Sequence, residues 1–246
     1  MTEPLFRADA YKRSCEAVVT ALTEDGGVIL DRTVFYAAGG GQPGDSGTLA
    51  WDGGSMTVAT THKTAHGIAH LSARSEGDSL LELIARLPVP GTAVQATIDW
   101  DRRFRHMRCH TALHLLSVVI PLPVTGGSIG AEKGRLDFDM PEAPEDKAAL
   151  EAHLQELVAA DHPVSETWIT DAELEANPGL VKTMAVKPPM GEGRVRLVRI
   201  GADASPVDLQ PCGGTHVRST AEIGVVSLGK IEKKGKQNRR VSIHVG

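Results

Sequence analysis

Aromatic residues are scarce in this 246-residue chain, at 4% of the total. That scarcity excludes a broad base-stacking platform of the kind that holds single-stranded nucleic acid. Cysteine is scarcer: Cys15, Cys109 and Cys212 are the three in the sequence, too few to staple a domain of this length. A reducing compartment, the cytoplasm, is therefore the expected setting. No apolar run approaches the eighteen or so residues that cross a bilayer. The opening MTEPLFRADAYKR has neither the apolar core nor the small-residue cleavage site of a secretory signal, so no membrane partner is expected.

A positive balance is also missing, since the formal net charge is −5. The charge is uneven, however. Residues 136–178 hold twelve acids and a single base, Lys147, which leaves the remainder basic. Two stretches concentrate that charge: Arg102, Arg103, Arg105 and Arg108, and then Lys230, Lys233, Lys234, Lys236, Arg239 and Arg240. Charge alone allows either a solvated face or a phosphate-binding one.

What is present is an ordinary globular composition, 41% hydrophobic and 23% charged. The length suits one large or two small domains. From Cys15 to about Ile98, short β-type runs alternate with turn residues. EAVVTAL and VILDRTVFY flank Glu24-Asp25-Gly26-Gly27, and GTLAW and SMTVATT flank Asp52-Gly53-Gly54, the chemistry of tight hairpins. Such strands predict a small barrel or sandwich, with a boundary near LPVPGT, residues 87–92. Beyond Asp99 the pattern turns helical. Residues 101–119 contain neither Gly nor Pro, and a second helix over roughly 145–160 puts Leu150, Leu154, Leu157 and Val158 on one face. VSETWIT, RVRLVRI, IGVVSLGKI and RRVSIHV read as strands, and without βαβ alternation they predict an antiparallel sheet with helices on one side.

His110 and His114 stand four apart in the predicted helix, so both imidazoles project from one face and can reach one ion. Cys212 and His216 repeat the spacing in PCGGTHV. Two to three imidazoles with a thiolate suit zinc, about one ion per chain. Either pair alone is a weak signal, because helix-surface histidines often share this spacing. His62, His66 and His70 also stand four apart, but in strand-like sequence that spacing carries no common ligand face, so the triple is read as incidental. His106 could join the site, although it lies among arginines. Cys109 is read as a small buried hydrophobe.

The segment MRCHTALHLL (107–116) resembles the metal-binding helix of alanyl-tRNA editing domains. DLQPCGGTHVRSTAEIGVVSLGKIEKKGKQNRRVSI (208–243) is similar to the region around their second metal pair. FYAAGGGQPGDSG (35–47) resembles the glycine-rich motif of the preceding β domain, and GRLDFD (134–139) their Leu-Asp-Phe segment. The four motifs follow the family's order. The chain thus looks like a mid-sized, stand-alone alanyl-tRNA editing protein, without the aminoacylation domain and long C-terminal extension of some relatives. Gln210-Pro211 stand where a Glu-Leu pair is common.

The resemblance implies an α+β fold: a small glycine-rich N-terminal β-barrel domain (1–92), then an α/β zinc-containing editing domain (93–246) with an antiparallel sheet and packed helices. It implies hydrolysis of mischarged tRNA(Ala), chiefly seryl and also glycyl, with His110, His114, Cys212 and His216 acting through zinc. Thr125 or Ser128, in VTGGSIG (124–130), would bond the serine hydroxyl; the turn-residue reading of both stays open. Gly40 and Gly41, with Gln42 and Asp45, would face the phosphate or terminal ribose. Lys233, Lys234, Arg239 and Arg240 would meet acceptor-stem phosphates. A monomer without a protein partner is expected. Three rivals remain: a non-catalytic zinc-stabilised tRNA-binding protein, another zinc hydrolase, and a relative acting on seryl-tRNA(Thr). The second lacks support from HTALH, which has no acid between its histidines. The third is disfavoured by Thr215, where threonyl relatives usually carry proline.

Overall fold

In the computed structural model, residues 1–74, 77, 79–184 and 193–246 are described. The chain separates into two compact units, one of Met1–Gly39 with Pro43–Phe104 and one of Gly40–Gln42 with Arg105–Gly246.

The first unit comprises β1 (Glu3–Pro4), β2 (Ser14–Leu22), β3 (Val28–Leu30), β4 (Arg32–Thr33), β5 (Gly47–Trp51), β6 (Gly54–Val58), β7 (Thr60–Thr64), β8 (Gly67–Leu71), the short helix α1 (Leu80–Ala85) and β9 (Ala93–Ile98). Both expected hairpins form, β2 with β3 and β5 with β6. Alternation drives β2: Cys15, Ala17 and Val19 are buried while Glu16, Val18 and Thr20 face out. Seven strands pair antiparallel in the order β6-β5-β9-β2-β3-β8-β7 around Val19, Leu30, Phe35, Leu49, Val58 and Ile98. The described pairings trace a curled sheet with two ends, so they do not establish the closed barrel that was expected. The LPVPGT stretch precedes β9, which pairs with β2 and β5 inside this sheet.

A charged pair lies in that core. Arg103 is fully buried, and its Nε donates to both carboxylate oxygens of Asp45 at 3.0 and 2.8 Å. Its remaining nitrogens donate to Ala10 O (2.9 Å) and Val34 O (2.7 Å), and Tyr36 N donates to Asp45 at 2.6 Å. The pair is tolerable in apolar surroundings because nearly every donor is matched. His70 is the one member of the four-spaced triple that the core takes up. Its Nδ1 faces Val28 O and its Nε2 Thr33 Oγ1, both at 2.8 Å. His62 lies in β7 and His66 is exposed in the turn that follows.

Helix α2 (Trp100–Val119) begins in the first unit and continues into the second. The second unit adds β10 (Val124–Ile129), β11 (Lys133–Asp139), α3 (Lys147–Ala159), β12 (Val164–Thr170), α4 (Asp171–Ala176), β13 (Arg194–Ala202), β14 (Ser205–Pro211), β15 (Val226–Lys233) and β16 (Asn238–Val245). Asp146 caps α3 by accepting from Ala149 N at 2.9 Å, and Thr170 with Glu173 forms a capping box on α4. The strands make two antiparallel sheets, β10-β11-β16-β15 and β12-β13-β14, where one was expected. In the first, Gly134 of β11 lies against Cys109 and Leu113 of α2, because a side chain there would strike both.

In the second sheet, register sets two faces. Leu197, Leu209 and Ile169 pack with Leu174 of α4. On the opposite face Ile200 pairs with Asp208 and Val164, Val198 with Gln210 and Glu166, and Arg196 with Trp168. The backbone N–H of Cys212 donates to Arg196 O at 3.2 Å, so Cys212 extends the last of these rows.

Candidate metal centre

His110 and His114 are one turn apart on α2, with ring centroids separated by 5.3 Å. Cys212, delivered by the end of β14, and His216, four residues on, complete a group whose ligand atoms all lie within 4.8 Å of one another. The His216 ring is 4.3 Å from that of His110 and 4.6 Å from that of His114. Cys212 Sγ lies 3.5 Å from His110 Nε2 and 3.3 Å from His216 Nε2. The three histidines are buried and Cys212 is half-buried. Burial works against a Cys212 thiolate, yet the neighbouring imidazoles outweigh it and hold the thiol well below its ordinary value.

Each imidazole has its Nδ1 held by a different partner, and each partner dictates the tautomer. Thr215 N donates to Gln42 Oε1 (3.2 Å) while Gln42 Nε2 donates to Thr215 Oγ1 (2.8 Å), which fixes the amide's orientation. Gln42 Oε1 therefore accepts from His110 Nδ1 at 2.9 Å. Thr111 gives its hydroxyl hydrogen to Met107 O (3.0 Å), so toward His216 Nδ1 at 3.2 Å its oxygen accepts. Asp208, a carboxylate, accepts from His114 Nδ1 at 2.9 Å. All three Nε2 atoms are left to face Cys212 and one another. This is the donor set and second layer that a thiolate- and imidazole-binding metal requires, and the four residues could hold one.

The loop that carries the second pair is pinned. Arg196 Nη1 donates to Cys212 O (2.6 Å) and Gly214 O (3.0 Å), and its other end pairs with Glu166. Gly214 has no room for a side chain: a Cβ there would run into the His110 ring and Gln42, whereas at Gly213 it would meet open space.

The other expected residues are dispersed. Gln42 is buried against His110 instead of being a free polar contact. Gly40 and Gly41, at φ +58° and +82°, lead into it, and Gly41 O accepts from Ile129 N at 2.9 Å. Asp45 is occupied by Arg103. Thr125 donates to Asp137 O (3.1 Å) and accepts from Asn238 Nδ2 (2.7 Å). Ser128 is exposed and pairs with Arg135, on the sheet face opposite the one formed by Gly134, Leu136 and Phe138. Arg240 binds Asp137 through Nε and Nη2 at 2.8 and 2.9 Å, and Arg239 turns to the carbonyl of Pro141 at 2.5 Å. Lys233 and Lys234 are exposed, with Lys234 3.7 Å from Glu232. The arginines of α2 are mostly structural: Arg102 donates to Gly44 O (2.8 Å) and Arg108 to Ile223 O (2.8 Å). His106 is buried outside the four-residue group, as is Cys109, whose thiol burial pushes up to about 11.

Sequence reasoning missed Asp208, Thr111 and Lys182. Lys182 Nζ lies 2.5 Å from Asp208 Oδ1, and Gln210 Nε2 2.7 Å from Oδ2. A signal for Asp208 existed, since 208, 210 and 212 share one face of a strand.

Residues 195–242 match the family described as threonyl and alanyl tRNA synthetase second additional domain, and residues 8–102 the one described as tRNA synthetases class II (A). The last four strands, β13 to β16, and the Cys212–His216 pair thus fall in the synthetase-associated class of domains. Alanine–tRNA ligase of Pyrobaculum arsenaticum is 38% identical over 242 residues, 94% of this chain and 25% of the ligase. The alanyl-tRNA editing protein AlaX-M of Methanosarcina acetivorans is 37% identical over 248 residues, covering 98% of both chains. That of Saccharolobus solfataricus is 34% identical with the same coverage, 98% of each. The chain belongs to the alanyl-tRNA editing protein family.

Proposed function

We propose that this protein is a trans-editing aminoacyl-tRNA deacylase that cleaves the ester of mischarged tRNA(Ala), chiefly seryl and also glycyl, and spares alanyl-tRNA(Ala). The observation that carries the reading is the buried His110–His114–Cys212–His216 cluster with every imidazole Nδ1 anchored. Zinc is the ion proposed; bound there it would supply an activated water or polarise the ester carbonyl. Within the same proposal, residues 1–92 form the glycine-rich domain and 93–246 the zinc-containing editing domain.

The chain's own groups divide the work. Gln42, Asp208 and Thr111 hold the ligands in their binding tautomer. Backbone amides at Gly40 and Gly41 would face the terminal ribose, with Gln42 tying that loop to His110. Asp45 serves by holding Arg103 and not by touching substrate. Discrimination against alanine requires a partner for the serine hydroxyl, because a site that bonds a hydroxyl rejects the analogue lacking it. Thr125 and Ser128 remain the two candidates: the hydroxyl of Thr125 bonds Asp137 and Asn238, and Ser128 is exposed on the sheet face away from Gly134. Lys233, Lys234, Arg239 and Arg240 would position the acceptor stem of a tRNA bound by a cytoplasmic monomer.

One observation favours the alternative of a non-catalytic, zinc-stabilised tRNA-binding protein: four protein ligands fill a tetrahedral shell, the arrangement of structural zinc. Deacylation of seryl-, glycyl- and alanyl-tRNA(Ala), each with and without zinc, separates the two. Loss of seryl ester that depends on zinc, with alanyl ester spared, is expected. A zinc-loaded protein that binds tRNA but leaves all three esters intact would replace the enzyme with the alternative.

A further inference from the structure

The face of the β12-β13-β14 sheet that carries Asp208 and Gln210 toward α2 ends in an exposed indole. Asp208 reaches His114 and Gln210 Nε2 reaches Ser117 Oγ at 3.2 Å, so this face lies against the ligand helix. Its last row runs from Cys212 through Arg196 to Trp168. Trp168 sits on β12, the sheet's edge strand, and is 43% exposed. Two strand spacings, roughly 10 Å, separate it from the metal-ligand backbone. Beside it Arg194, also exposed, places its guanidinium 5.2 Å from the indole centroid. Trp168 thus stands on the metal-bearing face with a cation over its ring and part of the indole open to solvent.

We propose that Trp168 is a stacking platform for the base of the unpaired 3′-terminal nucleotide that carries the amino acid, with Arg194 facing its phosphate. The inference rests on the reading of the site as one that receives an aminoacyl-tRNA. The ester to be cleaved sits on the ribose of that same nucleotide, so a base held at the sheet edge would direct the ester along the row toward Cys212. Stacking tolerates any base, so the platform adds affinity without choosing the tRNA, and a single aromatic suffices where a broad platform is absent. Arg196 is not free to serve, being committed to Cys212 O, Gly214 O and Glu166.

The test uses the zinc-loaded full chain and an uncharged minihelix of the tRNA(Ala) acceptor stem, with and without its 3′-terminal nucleotide, at fixed salt. Removing that nucleotide should weaken binding to the native protein by about tenfold, the size of one base–aromatic stack. For Trp168→Ala the two RNAs should bind alike, while Trp168→Phe keeps most of the difference. Zinc content should be the same in all three proteins, which excludes a misfolded site. Equal binding of both RNAs by the native protein, or an undiminished difference in Trp168→Ala, overturns the proposal. Because the minihelix carries no ester, these outcomes are independent of deacylation. A protein that hydrolyses seryl-tRNA(Ala) yet shows no terminal-nucleotide increment would lose this inference and keep its function.

Discussion

Asp208 accepts a hydrogen bond from His114 at 2.9 Å across 94 residues of sequence, and it is the only carboxylate among the three groups that hold the imidazoles. Gln42 and Thr111, which hold the other two, are neutral. A carboxylate partner makes its histidine the more basic ligand, and Lys182 and Gln210 keep that carboxylate in place. Asp208→Asn retains the shape and removes the charge. Zinc affinity should fall by about 10–100-fold, read by competition with a chelator, and Thr111→Val should cost less. Unchanged affinity in Asp208→Asn would make the contact incidental, and an undiminished zinc content in His110→Ala or Cys212→Ala would dismiss the site itself.

Gly214 and Gly213 are adjacent and alike in sequence but not in surroundings. Gly214→Ala would push its methyl into the His110 ring and Gln42, while Gly213→Ala meets nothing. The first should release zinc readily and the second should bind it normally. Equal zinc affinities for the two variants would show that the loop relaxes at no cost.

Asp45 and Arg103 predict a stability effect where a substrate contact would predict a kinetic one. Asp45→Asn leaves a buried guanidinium without its counter-charge, at a cost of about 3–5 kcal/mol. A lowered denaturant midpoint in the absence of RNA is the expected result. Native stability combined with a raised KM would return Asp45 to the substrate site.

His70 makes the first unit sensitive to acid. Burial lowers its pKa from 6.5 to about 4, against the opposing hydrogen bond to Val28. The folded form therefore resists a proton that the unfolded chain takes up at 6.5. Stability is complete above that pH and declines as the pH falls toward 4, at up to about 1.4 kcal/mol per unit. Measured as a difference from His70→Gln at each pH, which cancels the contribution of the metal cluster, the decline should be steeper in the native protein. Parallel curves would place the acid sensitivity elsewhere.

Lys233 and Lys234 are exposed, whereas Arg239 and Arg240 are bound to Pro141 and Asp137. Charge reversal at the two lysines should weaken tRNA binding and flatten its dependence on salt, since each lost phosphate contact lowers the slope by roughly 0.7–0.9. Reversal at Arg240 should act mainly on stability by breaking its pair with Asp137. An unaltered salt slope in the lysine variant would leave the hairpin a solvated face.

The sequence alone determined the local features. Glycine-rich turns between alternating runs specified the β2–β3 and β5–β6 hairpins, and four-residue spacing put His110 and His114 on one side of a helix, because both depend only on backbone periodicity. The Cys212–His216 pair was legible from residue type and spacing, although it lies in a loop after β14 where no helical period applies. What each neighbouring side chain does was decided by tertiary structure. Gln42 and Asp45 lie three residues apart in one glycine-rich motif, yet one turns to His110 and the other to Arg103. Thr125 and Ser128 looked equivalent until strand pairing with β11 sent one hydroxyl into hydrogen bonds and left the other exposed. The partners of the three Nδ1 atoms lie 68, 94 and 105 residues away. For Asp208 sheet register decides the meeting, and a one-residue shift would turn Asp208, Gln210 and Cys212 away from the helix they serve.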